Sequence, residues 1–400
     1  MSVKKMILCF SLFCINGYGQ TFQCVIGDNY RKVNFSDLIK KKDSVSCLYI
    51  GLNEAEGLKN MDILLSNKEE LWQLAKLKKL KIGDFHDHAT SALIEKLNDA
   101  LKIFSTMNIE ELDVHINDEG KWRIPKMVHL RKLNISGSQA YRSLFFEDTL
   151  QLESLDLEFS NAPFSAYQQK NASFKKLEVK SLVISGSDVF IENFLSDLNF
   201  NQLDYLRIQI DYKIDSAVVM PRSLRRFINL EKLEIRTANG PIDVLPDEIS
   251  KLNNLNSLVF RIPPYYFLTG DSIVVQSLDK IPDSYSNLIL MREFKIESCG
   301  SEAIVLKEFP ALLFNNFPGK ELSIRLAIAE GVEIPEINKN LSGEIVVVEY
   351  VVDPVKANKK KYRYRCRDNF SLKAKLSKKL RADQNKIKIG AYKVYVSKID

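Results

Sequence analysis

The chain contains few of the residues that carry metal and redox chemistry, with 4 histidines and 6 cysteines among 400 residues. No two cysteines have the C-x-x-C spacing of a structural zinc site. The sequence also lacks G-x-S-x-G, H-E-x-x-H and a glycine-rich phosphate-binding loop. These absences exclude the enzyme classes that the motifs define, and we predict no catalytic residue, no metal site and no cofactor.

One short segment, Asp84-Phe85-His86-Asp87-His88, brings two histidines and two aspartates together. A closed zinc site needs four ligands in a fixed geometry, and no second group of ligands stands out elsewhere in the sequence. We therefore favour a polar loop that follows a strand. An enzyme that uses this loop on a repeat scaffold is an alternative, which elemental analysis for metal would test.

Long hydrophobic runs are also scarce, and the clearest lies at the N-terminus, over residues 6–15. It is too short to span a bilayer, which needs about 20 residues. Lys4 and Lys5 precede it, and the small residues Gly17 and Gly19 follow it. This order is typical of a signal peptide, which predicts removal of residues 1–19 and export to a periplasm, the cell surface or the medium, without a transmembrane span. The alternative is a buried N-terminal strand.

The predicted mature chain keeps four cysteines, for which export implies oxidising conditions and hence disulfides. Four cysteines allow three connectivities. We favour Cys24 with Cys47, before the first repeat, and Cys299 with Cys366, near the C-terminus. Four free or buried thiols are the alternative.

The C-terminal segment is strongly basic, with 16 lysines and arginines and 3 acidic residues over 354–400. Residues 344–352 read as a buried strand, and the alternating pattern around Gly390 as a hairpin. We predict a small β-rich module over 341–400. Its basic residues could bind a glycan or an anionic envelope surface. The alternative is that these basic residues cover the solvent-exposed face of strands and keep an exposed sheet edge from pairing with another chain. Export argues against nucleic acid.

A six-residue unit, apolar-x-x-Leu-x-apolar, recurs along the chain at intervals of 21 to 36 residues. In the last three residues of the unit, two apolar residues flank a residue of any type. This alternation is expected of a short strand with one buried face. The central apolar residues are Leu48, Leu80, Leu112, Leu133, Leu155, Leu182, Leu206, Leu233, Leu258, Phe294 and Leu322.

This repeat resembles the leucine-rich-repeat family, most clearly over residues 245–260, which fit L-P-x-x-I-x-x-L-x-x-L-x-x-L-x-L. The resemblance implies an α/β repeat fold: a solenoid with a parallel concave β-sheet and an irregular helical or 3₁₀ convex side. We predict an N-terminal cap over 20–44 and the solenoid over 45–340, followed by the β-rich module.

The sequence departs from the family in two respects. The inward asparagine that usually follows each strand is replaced by short polar residues. Their side chains can also form hydrogen bonds with the backbone of a turn. The wide intervals indicate inserted loops or helices near 68–77, 89–104 and 190–200. The residues at the asparagine position are Ser138, Ser160, Ser187 and Asp211.

The predicted concave face carries a stripe of tyrosines and arginines, two residue types that are common at binding hot spots. The alternative is that the arginines pair with glutamates across strands on a solvated face, and that the loop tyrosines fold back over the core. The candidate partner-binding residues are Tyr205, Arg207, Gln209, Arg236, Arg261, Tyr265 and Tyr266.

The leading functional hypothesis is therefore a non-enzymatic, exported protein that recognises a protein partner through its concave face. It follows in part from the family resemblance, and a fold alone does not determine function. The second hypothesis is a glycan-binding or surface-adhesion protein that uses the basic C-terminal module. Steep loss of binding with added salt would favour the second.

Overall fold

The computed structural model describes residues 22–26, 29–51, 54–83, 90–117, 120–137, 140–159, 172–197, 201–210, 220–237, 245–262, 267–269, 272–274, 277–278, 280–298, 305–306, 324–329, 345–350, 386–389, 392–395 and 398–399. Several predicted features lie outside the described residues. They are the signal peptide over 1–19, the Asp84–His88 segment, Tyr265, Tyr266, Cys299 and Cys366.

Strands dominate the described part of the chain. They are β1 (Phe22–Ile26), β2 (Asn29–Val33), β3 (Val45–Ile50), β4 (Lys79–Ile82), β5 (Glu111–His115), β6 (Trp122–Ile124), β7 (Lys132–Ser136), β8 (Leu144–Phe146), β9 (Leu150–Glu158), β10 (Leu177–Gly186), β11 (Tyr205–Ile210), β12 (Lys232–Thr237), β13 (Ser257–Ile262), β14 (Phe267–Thr269), β15 (Ser272–Val274), β16 (Ser277–Leu278), β17 (Glu293–Ser298), β18 (Val305–Leu306), β19 (Ile324–Ala329), β20 (Ile345–Tyr350), β21 (Lys386–Ile389), β22 (Tyr392–Tyr395) and β23 (Lys398–Ile399).

Helices occupy the segments between some of these strands. The α-helices are α1 (Phe35–Lys40), α2 (Glu54–Ser66), α3 (Lys68–Leu71), α4 (Ser91–Phe104), α5 (Ala140–Ser143) and α6 (Asp188–Asp197). The 3₁₀ helices are Lys42–Ser44, Ala172–Lys176, Arg222–Arg226, Asp247–Lys251 and Asp283–Asn287.

The central feature is a 12-stranded sheet in the order β17-β13-β12-β11-β10-β9-β7-β5-β4-β3-β1-β2. All pairs from β3 to β17 are parallel, and the central apolar residues of ten repeats, from Leu48 to Phe294, pair with one another in register. These ten residues are buried. No single repeat could bury its apolar face, so stacking supplies the core. The predicted leucine-rich-repeat solenoid is confirmed.

The opposite side of the solenoid carries short 3₁₀ helices, as the repeat pattern predicts. Pro246 precedes the 3₁₀ helix Asp247–Lys251, where a missing N–H costs nothing. Ile249, Leu252 and Leu255 are fully buried, because their spacing of three residues matches one 3₁₀ turn. Tyr285, in the next repeat, donates a hydrogen bond to the carbonyl oxygen of Pro246 at 3.0 Å. Neighbouring repeats are therefore joined on both sides.

Three of the wide intervals between strands contain α-helices, which were one of the two alternatives, loops or helices, that the sequence left open. Helices α3, α4 and α6 fall within or near the expected segments, whereas α2 was not predicted. Helix α4 buries one apolar face that includes Leu97 and Leu101. Ser187, at the position of the usual asparagine, accepts a hydrogen bond from the backbone N–H of Phe190 at 3.2 Å. A short polar side chain thus forms a hydrogen bond with the backbone of the turn, as expected at this position.

The N-terminal edge of the sheet is closed by antiparallel pairing. Strand β1 pairs antiparallel with both β2 and β3. Helix α1 follows β2, and the Asn34 side chain caps it by accepting a hydrogen bond from the N–H of Asp37 at 2.8 Å. The change from parallel to antiparallel pairing places a hairpin between the first repeat and solvent.

The favoured disulfide between Cys24 and Cys47 is wrong, because both thiols are free and buried. The register pairs Cys24 with Leu48 and Val25 with Cys47. Residues directly opposite each other share a face, and successive residues alternate between faces. Cys24 therefore points to the core side and Cys47 to the opposite side of the sheet. Burial also raises the pKa of the Cys47 thiol to about 11.

The chain after the large sheet forms a second parallel sheet in the order β16-β18-β19-β20-β23. Leu322, the last central residue of the repeat pattern, lies outside the described residues, and β19, which begins at Ile324, pairs with β18 and β20. Strands β21 and β22 form an antiparallel hairpin around Gly390, and β20 falls within the strand expected over 344–352. The limits of the cap, solenoid and C-terminal module stay predictions.

Gly137 offers a test of how tightly neighbouring repeats approach each other. Its φ of 111° is in the region that favours glycine, and a Cβ would overlap with the carbonyl oxygen of Ile116. We expect Gly137→Ala to lower the free energy of unfolding by about 2–3 kcal/mol in chemical denaturation. Gly51→Ala is the control, because a Cβ there meets only the Tyr49 ring at 3.6 Å. Equal losses in the two variants would contradict the close approach.

Candidate functional site

The concave face, which is the side of the large sheet opposite the buried leucines, presents its side chains in straight rows. The rows arise because parallel strands pair in register and alternate residues share a face. Three rows cross β9 to β13: Glu158, Ser185, Gln209, Arg236 and Arg261; Asp156, Val183, Arg207, Glu234 and Val259; and Ser154, Ser181, Tyr205, Lys232 and Ser257.

Glu234 on β12 is the centre of a compact group of charged side chains. Only 9% of its side chain is exposed. Arg207 on β11 donates through Nε to Glu234 Oε2 at 2.8 Å, and Arg236 donates through Nε to Oε1 at 2.7 Å. Arg261 Nε on β13 lies 2.8 Å from Oε1. Tyr205 completes the group with a hydrogen bond from its hydroxyl to Oε2 at 3.0 Å.

These five residues, which we term the arginine cluster, are held by their own electrostatics. Burial disfavours the charged form of Glu234, but the hydrogen bonds from Arg236 and Arg207 outweigh it, so the pKa of Glu234 is lowered. Burial likewise disfavours the charge of Arg207, yet the bond and charge of Glu234 raise the pKa of Arg207. Burial first, and then the charge of Glu234, raises the pKa of Tyr205. At neutral pH all three side chains therefore keep the protonation state that the contacts require.

The arginine cluster has more positive charge and more donors than its glutamate can satisfy. Three guanidinium groups surround Glu234, and Arg207 and Arg236 alone carry one more charge than its single carboxylate. Each guanidinium has about five N–H donors, and a carboxylate accepts about four hydrogen bonds in total. The arginine side chains are still 31–43% exposed. The cluster can therefore bind a further anionic group without losing its internal bonds.

The structure brings together most of the predicted site residues. Tyr205, Arg207, Arg236 and Arg261 all contact Glu234, whereas Gln209 lies beside Arg236 in the register. Glu234 is not among the candidate residues predicted from the sequence, so its central role was missed. The signal was its register position, directly beside Arg207 and two residues before Arg236. The predicted pairing of arginine with glutamate also occurs, and it leaves the arginines in excess.

The N-terminal half of the same face has a different charge pattern. Lys79 contacts Glu111, and Lys81 lies 3.1 Å from Asp113, so acids and bases pair one to one across β4 and β5. His115 Nδ1 lies 2.8 Å from Ser136 Oγ, which joins β5 to β7. These two ion pairs balance the charges that β4 and β5 carry on that part of the face.

Within the described part of the chain, no three histidine, cysteine, aspartate or glutamate side chains are grouped as metal ligands. A helix of sufficient length and apolarity to cross a membrane is likewise not found among the described residues. The arginine cluster is the group of charged side chains that the described residues assemble on this face.

The ionisation of Glu234 makes a measurable prediction about acid stability. Because its folded-state pKa is lowered, charged Glu234 stabilises the fold above the ordinary value of 4.5, and this contribution is lost as the pH falls through the folded-state pKa. We expect urea unfolding between about pH 6 and about pH 3 to show a shallower loss of stability in Glu234→Gln than in the wild type. Glu231→Gln, at an exposed position beside β12, should follow the wild type. Parallel curves for Glu234→Gln and wild type would refute the assignment.

Solved structures that are similar to this chain include an internalin and a complex of PEPR1. The internalin InlF from Listeria monocytogenes has a TM-score of 0.36 and 13% sequence identity, over 84% of this chain and 91% of that chain. The PEPR1–AtPEP1 structure has a TM-score of 0.29 and 13% identity, over 79% of this chain and 47% of that chain, so this chain spans about half of its length. No protein-family profile and no curated protein sequence matches.

Proposed function

We propose that this leucine-rich-repeat solenoid is a non-enzymatic exported protein that recognises a protein partner through its concave face. The observation that carries the proposal is the arginine cluster, in which three arginines share one carboxylate. Arginine and tyrosine on a rigid, partly desolvated surface are typical of binding hot spots. The rigidity comes from the sheet, because each arginine lies on a strand that pairs on both sides.

The arginines have a pre-organised geometry that reduces the cost of binding. Their Nε atoms are already held by Glu234, so a partner does not have to order three long side chains from solution. Immobilising each such side chain costs about 0.5–1.5 kcal/mol in an interface that lacks this support. The acidic residue of a partner can therefore use the remaining guanidinium donors at a low entropic cost.

The proposal is tested by removing the excess charge while Glu234 keeps one counter-ion. The variant Arg207→Gln/Arg236→Gln leaves Arg261 beside Glu234, so the cluster becomes neutral without an unpaired buried carboxylate. The control Arg222→Gln/Arg225→Gln removes two exposed arginines from a 3₁₀ helix on the convex side. Both variants change the net charge of the chain by the same amount.

The experiment is affinity capture from the native cell envelope and culture medium with the full chain as bait. We expect the wild type and the convex-side control to capture the same protein, and the cluster variant to retain about tenfold less or lower. Circular dichroism checks that each variant is folded. A partner that all three baits hold equally would overturn recognition through the cluster. Binding by all three that falls steeply with salt would favour the basic C-terminal module and an anionic envelope surface.

A further inference from the structure

The charges on the concave face are segregated across the strands. Asp156 and Glu158 on β9 lie on one side, and the arginine cluster on β11 to β13 lies on the other. Between them runs β10, whose concave side chains are short. These are Ser181, Val183 and Ser185.

The two carboxylates on β9 differ from the other acids on this face. Glu111 and Asp113 each contact a lysine, and Glu234 contacts three arginines. Among the described residues, Asp156 and Glu158 show neither an ion pair nor a side-chain hydrogen bond. Desolvation first, and then the charge of Glu158, raises the pKa of Asp156, and together they outweigh the charge of Arg207, which lowers this pKa. A cation placed directly over Asp156 and Glu158 would therefore stabilise both carboxylates.

The charge of Arg207 reaches Asp156 and lowers its pKa, but within the described residues no arginine of the cluster forms an ion pair with Asp156 or Glu158. Glu158 and Arg236 occupy one row, separated by Ser185 and Gln209. Three strand spacings lie between them, which is about 14 Å. Long side chains could approach each other across β10, but the arginines bond to Glu234 instead. The concave face therefore has a negative group on β9 and a positive group at the arginine cluster, at a fixed separation. The short side chains of β10 lie between them.

We infer that the partner contributes an extended segment that crosses β9 to β12 and carries a lysine or arginine over Asp156 and Glu158 and an aspartate or glutamate over the arginine cluster, four residues apart. This inference rests on the proposed function and adds the charge pattern of the partner. In an extended chain, residues i and i+4 share a face and lie about 13–14 Å apart, which matches three strand spacings. Residues i and i+3 point to opposite faces.

The same separation excludes other arrangements of the charges in the partner. In an α-helix, four residues span about 6 Å, so a helical partner would need charges nine or ten residues apart. A purely acidic segment would satisfy the arginines but place like charges over β9. A purely basic segment would satisfy the carboxylates on β9 but place like charges over the arginine cluster. The bipolar face thus selects both the signs and the spacing of the charges in the partner.

A library of random 12-residue peptides, displayed on phage and selected against the full chain, tests the inference. We expect selected sequences to be enriched at least about fivefold over the input in a basic and an acidic residue at i and i+4, in either order. Either order fits, because an extended peptide can lie across the strands in both directions. No enrichment at i, i+3 is expected. Enrichment of acidic residues alone, or of opposite charges at helical spacing, would overturn the inference.

Two variants separate the ends of the proposed segment. Asp156→Asn/Glu158→Gln should abolish the preference for the basic residue and weaken binding of a selected peptide about tenfold, while the acidic preference remains. Arg207→Gln/Arg236→Gln should abolish the acidic preference. The controls are Glu69→Gln/Glu70→Gln on α3 and Arg222→Gln/Arg225→Gln, which make the same charge changes away from the concave face.

The outcomes distinguish failure of the inference from failure of the proposed function. If peptide binding requires the arginine cluster but is unaffected by Asp156→Asn/Glu158→Gln, the proposed function stands and the bipolar pattern falls. If selected peptides bind both concave-face variants as tightly as the wild type, recognition through this face falls as well. Failure to select any peptide would also count against both.

Discussion

Replacing Glu234 by alanine is expected to lower the free energy of unfolding by about 2–4 kcal/mol, a loss unusual for a residue on a solvent-facing surface. Removing one partner of a buried ion pair costs about 3–5 kcal/mol, because the other partner is left without a counter-ion. Here three guanidiniums lose their shared carboxylate at once. Their exposure of 31–43% lets water compensate in part, which places the expected loss below the upper limit.

The loss should be measured by urea denaturation at neutral pH, with circular dichroism as the signal. Glu231→Ala is the matched control, because Glu231 is exposed and directly precedes β12. Surface substitutions of that kind change stability by about 0.5 kcal/mol or less. If Glu234→Ala costs no more than Glu231→Ala, the carboxylate does not hold the arginines together.

The effect of added sulfate on stability is a second, independent test of whether Glu234 holds the arginines together. Without Glu234 the three arginines repel one another, and a doubly charged anion can take the place of the carboxylate. Any anion that binds only the folded state stabilises it by mass action. Sulfate should therefore raise the stability of Glu234→Ala more than that of the wild type or of Glu231→Ala. An equal increase in all three would show only the general effect of the salt.

The sequence predicted the sheet well because the information that specifies it is local. Each repeat carries its own alternation of apolar residues, and the ten central residues from Leu48 to Phe294 form one ladder as expected. The proline-led unit over 245–260 predicted its 3₁₀ helix for the same reason. Helix α2 was missed because it lies in a wide interval with a weaker amphipathic pattern than α4.

Features that depend on the register of distant strands were harder to predict. The pairing of Cys24 with Cys47 looked reasonable from position along the chain, but a one-residue offset puts the two thiols on opposite faces. The role of Glu234 required the relative register of β11, β12 and β13. The stripe of arginines was visible in the sequence, whereas the carboxylate that organises it became evident only when three strands were aligned.

The second large effect concerns the core beneath the arginine cluster. Leu233 on β12 and Leu80 on β4 occupy the same repeat position and are equally buried. Leucine-to-alanine changes at such sites cost about 3–5 kcal/mol, because the loss of apolar contacts is combined with a cavity. We expect both Leu233→Ala and Leu80→Ala to lose stability in this range in urea denaturation. The two variants should differ in which strands are destabilised.

Each repeat of a solenoid contacts only its neighbours, so a cavity weakens adjacent strands more than distant ones. Leu233 pairs in register with Leu206 and Leu258, whose strands carry Arg207 and Arg261. In native-state hydrogen exchange, Leu233→Ala should therefore accelerate exchange in β11 and β13, and Leu80→Ala should accelerate it in β3 and β5 instead. Equal acceleration throughout the sheet in both variants would mean that the solenoid opens as one cooperative unit. Local acceleration would show that the rigidity of the arginine cluster comes from its own three strands, and that changes near the N-terminal edge leave the binding geometry unaltered.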